Sequence, residues 1–260
     1  MKKLIALLLA LTLVFSLAAC ASSDKGDGSK EKPEQSAAPA PDDEQDEAQI
    51  DDSLRVFAEE YDNIGNALTT FDTASLLAAI APNLDHEALT EALQLIYQIG
   101  VYSEAQLFDE LDYSSARDTL PETYGADYHI ETTMKDAVPL TDAQMKQIRD
   151  LLSDLQSGYE QLVESGENAS DADFQEAAER DGLTVEQELR MIELFRMIRD
   201  SLSDCEITEG YAVTLSNEIT GSLYDGVDTR EGHITVIKLN GEWMLLDGLV
   251  AFAVLHPTGD

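Results

Sequence analysis

Apolar positions at spacings of three and four mark where the folded part of the chain begins. Leu54, Phe57, Tyr61, Ile64, Leu68 and Phe71 fall on one stripe, which predicts a helix starting near Ile50. Asp72 is placed to cap a second, short helix that runs to Ile80 and is ended by Pro82. Asp85 caps a third, with Leu89, Leu93 and Ile96 facing inward and Gly100 as its stop. Ser103 opens a fourth, which carries Leu107, Phe108 and Leu111. The period then shortens. Tyr128, Ile130, Thr132 and Met134 alternate with more polar neighbours and predict a strand. Thr141 with Gln144 makes a capping box for a long helix carrying Met145, Ile148, Leu152, Leu155, Tyr159 and Leu162. The run ESGENASDAD at 164–173 breaks that helix. Phe174 sits in a short one, and Thr184 with Gln187 caps the next, whose stripe includes Leu189, Ile192, Phe195 and Ile198.

From Cys205 the pattern reads β to the end of the chain. Tyr211, Val213 and Leu215 alternate, and ITVIKLNGEWMLLDGL sets Asn240-Gly241 between two apolar runs, a strong hairpin signal. A two-residue turn there places Lys238 opposite Trp243, Val236 opposite Leu245 and Ile237 opposite Met244. Both faces of this hairpin are largely apolar, so one packs on helices and the other is covered or lines a cavity. No internal repeat is present. These elements predict one α+β domain over residues 50–260. Amino-terminal helices and a long helical insertion (140–202) pack on a curved antiparallel sheet that ends in a β-meander.

The first residues follow a different pattern. Met1-Lys2-Lys3 is a basic start, and Leu4–Ala19 is a charge-free run of 16 residues. A bilayer-spanning helix needs about 20 apolar residues, so this run is short for a permanent span and matches the plan of a secretory signal peptide. It ends Leu17-Ala18-Ala19-Cys20, which resembles the lipobox of bacterial lipoproteins more closely than an ordinary Ala-x-Ala cleavage site. The resemblance covers about the first 20 residues and implies a signal peptide over 1–19, cleaved just before Cys20. It also implies a diacylglyceryl group and fatty acyl chains such as palmitate on Cys20. Two acyl chains hold a protein stably where one holds it marginally. The implied place is the outer face of a bacterial cell membrane, Gram-positive in type, with the membrane contacted through the lipid. Residues 20–49 hold Ser, Gly, Pro, Ala and charges without a large apolar residue, a composition that predicts a disordered tether.

The chain has 52 acidic residues against 16 basic ones, a formal charge of −36. From Ile50 on, 43 Asp and Glu stand against three Lys and eight Arg, a formal charge of −32. Phosphate backbones repel such a domain, so a nucleic-acid partner is excluded. The charge is spread along the chain, as on a solvated acidic surface, with attraction to calcium or to cationic partners as the sharper alternative. Only Cys20 and Cys205 occur. A lipidated Cys20 leaves no intrachain disulfide, and Cys205 reads as a small apolar residue at the start of a strand.

Amino-terminal helices followed by a meander ending in VIKLNGEWMLLDG resemble exported domains of the nuclear-transport-factor-two-like or cystatin-like kind. That resemblance covers the first helix and about the last 50 residues, and it implies a curved sheet around a cone-shaped pocket. Trp243, Val236 and Leu245 are the candidate pocket lining, and the simpler reading makes Trp243 a core residue.

Little points to catalysis. HEALT at 86–90 begins like a zinc-protease helix, but Thr90 stands where the second histidine belongs. His129 and His233 meet across a sheet only if their strands pair in the right register, and otherwise face solvent. His256 falls near the end of the chain. No G-x-S-x-G elbow or phosphate-cradling glycine loop is present, and SDADFQEAAERDG and YDGVDTREG lack the order of a calcium loop. Asp225 and Asp228 read as turn residues. Catalytic, metal and cofactor residues are therefore assigned to none. The expected function is a non-catalytic envelope lipoprotein that binds a protein or small ligand. The alternatives are an envelope enzyme using carboxylates in a sheet-lined pocket and, third, the solute receptor of an importer.

Overall fold

Every helix start that the sequence marks with a capping side chain is a helix start in the structure, a computed structural model that describes residues 52–67 and 72–254. Asp72 and Asp85 each accept from the amide three residues on, at 2.9 Å. Ser103 accepts from the Gln106 amide at 3.3 Å. Thr141 with Gln144 and Thr184 with Gln187 form complete capping boxes, and Ser170 with Asp173 forms a third that the sequence pattern did not single out. Such caps satisfy amides that helix geometry leaves unbonded.

In chain order the helices are α1 (Asp52–Glu59), α2 (Asp62–Ala67), α3 (Thr73–Ile80), α4 (His86–Gln98), α5 (Glu104–Glu110) and α6 (Ser114–Tyr124). After strand β1 (His129–Pro139) come α7 (Asp142–Glu167), α8 (Asp171–Asp181) and α9 (Val185–Ser203). Strands β2 (Ile207–Gly221), β3 (Tyr224–Leu239) and β4 (Glu242–Leu245) lead into α10 (Leu246–Ala253). The sheet order is β1-β2-β3-β4, antiparallel throughout, so the α+β class and the meander are as expected. Lys238 lies opposite Trp243, Ile237 opposite Met244 and Val236 opposite Leu245. Asn240 (φ 52°) and Gly241 (φ 88°) both take the positive φ that a primed turn requires.

One sheet face buries Ile130, Ala137, Val213, Leu215, Ile219, Val236 and Leu245, with α1 and α2 packed along it. Near β4 the opposite face is covered as well, by α10 and the start of α7, which enclose Ile237 and Met244. The insertion α7–α9 packs on itself and against α4. The buried Tyr159 hydroxyl donates to the Phe252 carbonyl at 2.7 Å and ties α7 to α10.

Three expectations are corrected. The stripe from Leu54 is not one helix: the chain turns at Glu60–Tyr61 and restarts as α2, and Leu68 and Phe71 lie outside the described residues. The segment DNIGNA is rich in poor helix formers, and the bend aims the Asn66 amide at β1. There it donates to the Ile130 carbonyl at 2.9 Å and accepts from the Ile130 amide at 2.6 Å. On α9 the buried positions are Met191, Leu194, Phe195, Ile198 and Leu202, while Leu189 is 47% exposed. A strict three-residue ladder drifts about 60° per step around a 3.6-residue helix, so the ladder that ends on the buried Phe195 and Ile198 starts off the core face at Leu189. The chain is not β to its end, because LDGLVAFA forms α10. That segment is apolar all round, so its periodicity carries no signal, and it is buried on most sides. Residues 114–124 form α6 despite Pro121 inside it.

Replacing Thr184 with alanine removes the α9 capping box, in which Thr184 Oγ1 accepts from the Gln187 amide at 3.2 Å. A loss of about 1 kcal/mol is expected, read as a melting-temperature drop of about 2–4 °C. An unchanged melting temperature would show that this box contributes nothing to stability.

Candidate functional site

The hairpin β3–β4 carries the residues singled out as pocket lining, and the structure packs them. Val236 and Leu245 are 0% and 2% exposed, and Trp243 is 7% exposed. The Trp243 indole N–H donates to Ser53 Oγ at 2.9 Å, and the Tyr211 ring meets it edge-on at 5.8 Å. The Lys238 ammonium sits 4.8 Å from the ring centroid, and 3.3 Å from Glu209. These contacts make Trp243 a core residue that closes the sheet against α1, and they correct the pocket-lining reading of Trp243, Val236 and Leu245.

Polar chemistry is instead displayed where the long β2–β3 ribbon extends past β4. On the face turned away from α1 and α2, Glu131 lies opposite Glu218, Thr133 opposite Ser216, and Ser216 opposite Glu231. His129 and His233 share this face but do not meet. They pair with Thr220 and Thr214, six residues apart along β2 or about 20 Å. His233 contacts Glu231 at 3.1 Å. Like charges directly opposite on a sheet are an unfavourable pairing, and both Glu131 and Glu218 are exposed to solvent. Asp225 and Asp228 are strand residues of β3 and not turn residues, since the turn is Ser222-Leu223. The Tyr124 hydroxyl donates to Asp228, whose carboxylate also accepts from Arg230 Nε at 2.9 Å. The Tyr124 bond first, and then Arg230, hold the Asp228 carboxyl below its usual range.

Two further arrangements are confined by their own partners. Open clefts of about 360 and 230 Å³ run along α7 beside the end of α9 and share Gln156. Three of their lining side chains already have partners: Gln156 donates to the Leu202 carbonyl at 2.7 Å, Arg149 to the Ile207 carbonyl at 3.1 Å, and Arg199 pairs with Asp200 at 2.7 Å. Cys205 lines one cleft as a free thiol between α9 and β2, and burial pushes its pKa up, away from a nucleophilic thiolate. The other arrangement joins Tyr61, Tyr113 and Asp247. The Tyr113 hydroxyl donates to Asp247 Oδ2 at 3.1 Å, and Tyr61 bonds Tyr113. Burial pushes the Asp247 pKa up to about 6, with the Tyr113 bond opposing and the Asp112 charge assisting. Burial likewise lifts Tyr61 to about 12. The sequence signal for this cluster was a lone acid inside the apolar run MLLDGLVAFA.

His86 begins α4 as expected, with its ring nitrogen Nδ1 3.2 Å from the Leu84 carbonyl. Among the described residues no group of three or more His, Cys, Asp and Glu is arranged to hold a metal ion. No helix among them is long and apolar enough to cross a membrane. Cys20 and His256 lie outside the described residues. No protein-family model, curated protein or solved structure matches the chain.

Proposed function

We propose that the chain is a lipid-anchored extracytoplasmic lipoprotein whose folded part is a non-catalytic binding module of the cell envelope. The observation that carries this reading is Leu17-Ala18-Ala19-Cys20 at the end of the charge-free run that follows Met1-Lys2-Lys3. Cys20 carries the lipid, and residues 20–49 separate it from the domain. The open, polar face of the β2–β3 ribbon supports binding as the domain's role, since residues there are exposed while the apolar side chains beneath form the core.

The test is metabolic labelling with a palmitate analogue together with membrane fractionation. The wild-type chain is expected to be labelled and to sediment with membranes, and Cys20→Ala to lose the label and leave the membrane fraction. A Cys20→Ala protein that is still labelled refutes the anchor.

A further inference from the structure

The outer edge of β3 points to a partner. Among the described residues, β4 pairs only with Val236–Leu239, so the rest of β3 is joined there to β2 on one side alone. Leu239 and Glu242 flank the two-residue turn and therefore form its closing hydrogen-bonded pair. Alternation then aims the backbone groups of even-numbered residues at β2, and those of Thr229, Glu231 and His233 away from the sheet. All three residues are exposed. Val227 of β3 and Leu223 in the β2–β3 turn are 55% and 68% exposed. The β1 edge differs, because the Asn66 amide occupies the backbone groups of Ile130.

We propose that this edge takes up an extended, lysine- or arginine-rich segment of another protein as an added antiparallel strand. The inference rests on the reading of the domain as a binding module and names its partner class. Main-chain hydrogen bonds to Thr229, Glu231 and His233 supply the pairing. Charge selects the occupant. Glu231 on the edge, Glu218 on the next strand and Glu131 beyond it form an acidic face beside the incoming strand. A second copy would bring the same acids to the same place, within a chain of formal charge −36, and is repelled. A basic strand meets complementary charge, nearest at Glu231.

The probe is a peptide of about ten residues alternating lysine and threonine, long enough for one strand. It is titrated against the detergent-solubilised full chain. Peptides alternating glutamate with threonine and lysine with proline serve as comparisons. The lysine–threonine peptide alone is expected to bind, and the Thr229, Glu231 and His233 amides to gain protection from hydrogen exchange on the wild-type protein. Glu231→Pro deletes an outward N–H without removing a bond to β2, and should weaken binding about tenfold or more. Glu231→Gln, which removes only the charge, should weaken it about two- to threefold. Equal weakening by the two variants, equal binding of the lysine–proline peptide, or unchanged amide protection would each overturn the proposal. So would no binding up to about 1 mM peptide, or self-association of the chain that Glu231→Pro abolishes. Fatty-acid labelling is read separately, so a labelled, membrane-bound protein that ignores the peptide refutes the edge and leaves the anchor standing.

Discussion

Trp243→Ala is expected to lose about 3–5 kcal/mol of stability, the range for truncating a large aromatic side chain in a core. The ring is enclosed on all the sides that matter to it. Tyr211 meets it edge-on, Lys238 lies over its face and Ser53 accepts from its N–H. Deleting it leaves a void between β4 and α1, removes the N–H bond to Ser53 and takes the ring from beneath Lys238. For a domain of this size the urea slope is about 2–3 kcal/mol per M, so the midpoint should fall by about 1–2.5 M. Trp243 is the only tryptophan, so unfolding has to be followed by circular dichroism and not by indole fluorescence. Trp243→Phe separates two contributions: it keeps most of the apolar volume and loses only the N–H to Ser53, and should cost about 1–2 kcal/mol. A Trp243→Ala midpoint within about 0.5 M of wild type would mean that the ring stands free, as a pocket lining would.

The parts of this fold that the sequence reveals are those governed by short-range chemistry. Capping side chains lie within three residues of the amides they bond, so Asp72, Asp85, Ser103, Thr141 and Thr184 mark their helices without help from the rest of the chain. Asn240-Gly241 fixes its own turn, and the turn fixes the register of β3 on β4. Features set by distant neighbours do not show. The break between α1 and α2 depends on Asn66 reaching Ile130, 64 positions away. The helical state of LDGLVAFA depends on burial against α3, α7 and the sheet, because an all-apolar octapeptide has no period to read. The pocket reading failed for a related reason. Alternation tells which residues share a face, but whether that face meets a cavity or a helix is decided by α1, nearly 190 residues earlier. The acidic ribbon face is visible only after β1 and β2 are placed in register, which brings Glu131 opposite Glu218.

Asp247→Asn is expected to stabilise the domain at pH 7.5 and not at pH 4. The carboxyl stands in the first turn of α10, where Tyr113 bonds it, Tyr61 lies one bond further on and Asp112 adds a like charge. Its folded pKa of about 6 lies above the value of about 3.9 expected for an unfolded chain. The folded state therefore holds the proton more tightly than the unfolded state. Its contribution to stability is complete below about pH 4 and is lost as pH rises through about 6. A shift of two units corresponds to about 3 kcal/mol, and the positive end of α10 and partial solvent access reduce it, so about 1–3 kcal/mol is expected. Asparagine keeps an acceptor for the Tyr113 hydroxyl and has no charge to bury. Urea midpoints of both proteins at pH 4 and pH 7.5 give the comparison, and the difference of differences cancels the many surface carboxylates that titrate in both. The gain should appear between pH 4 and pH 7. A gain of equal size at both pH values would place the effect in packing and not in ionisation. A loss at pH 7.5 would show that the carboxylate is stabilised by α10 and Tyr113 more than it is penalised by burial, and that the cluster holds its charge in the folded protein.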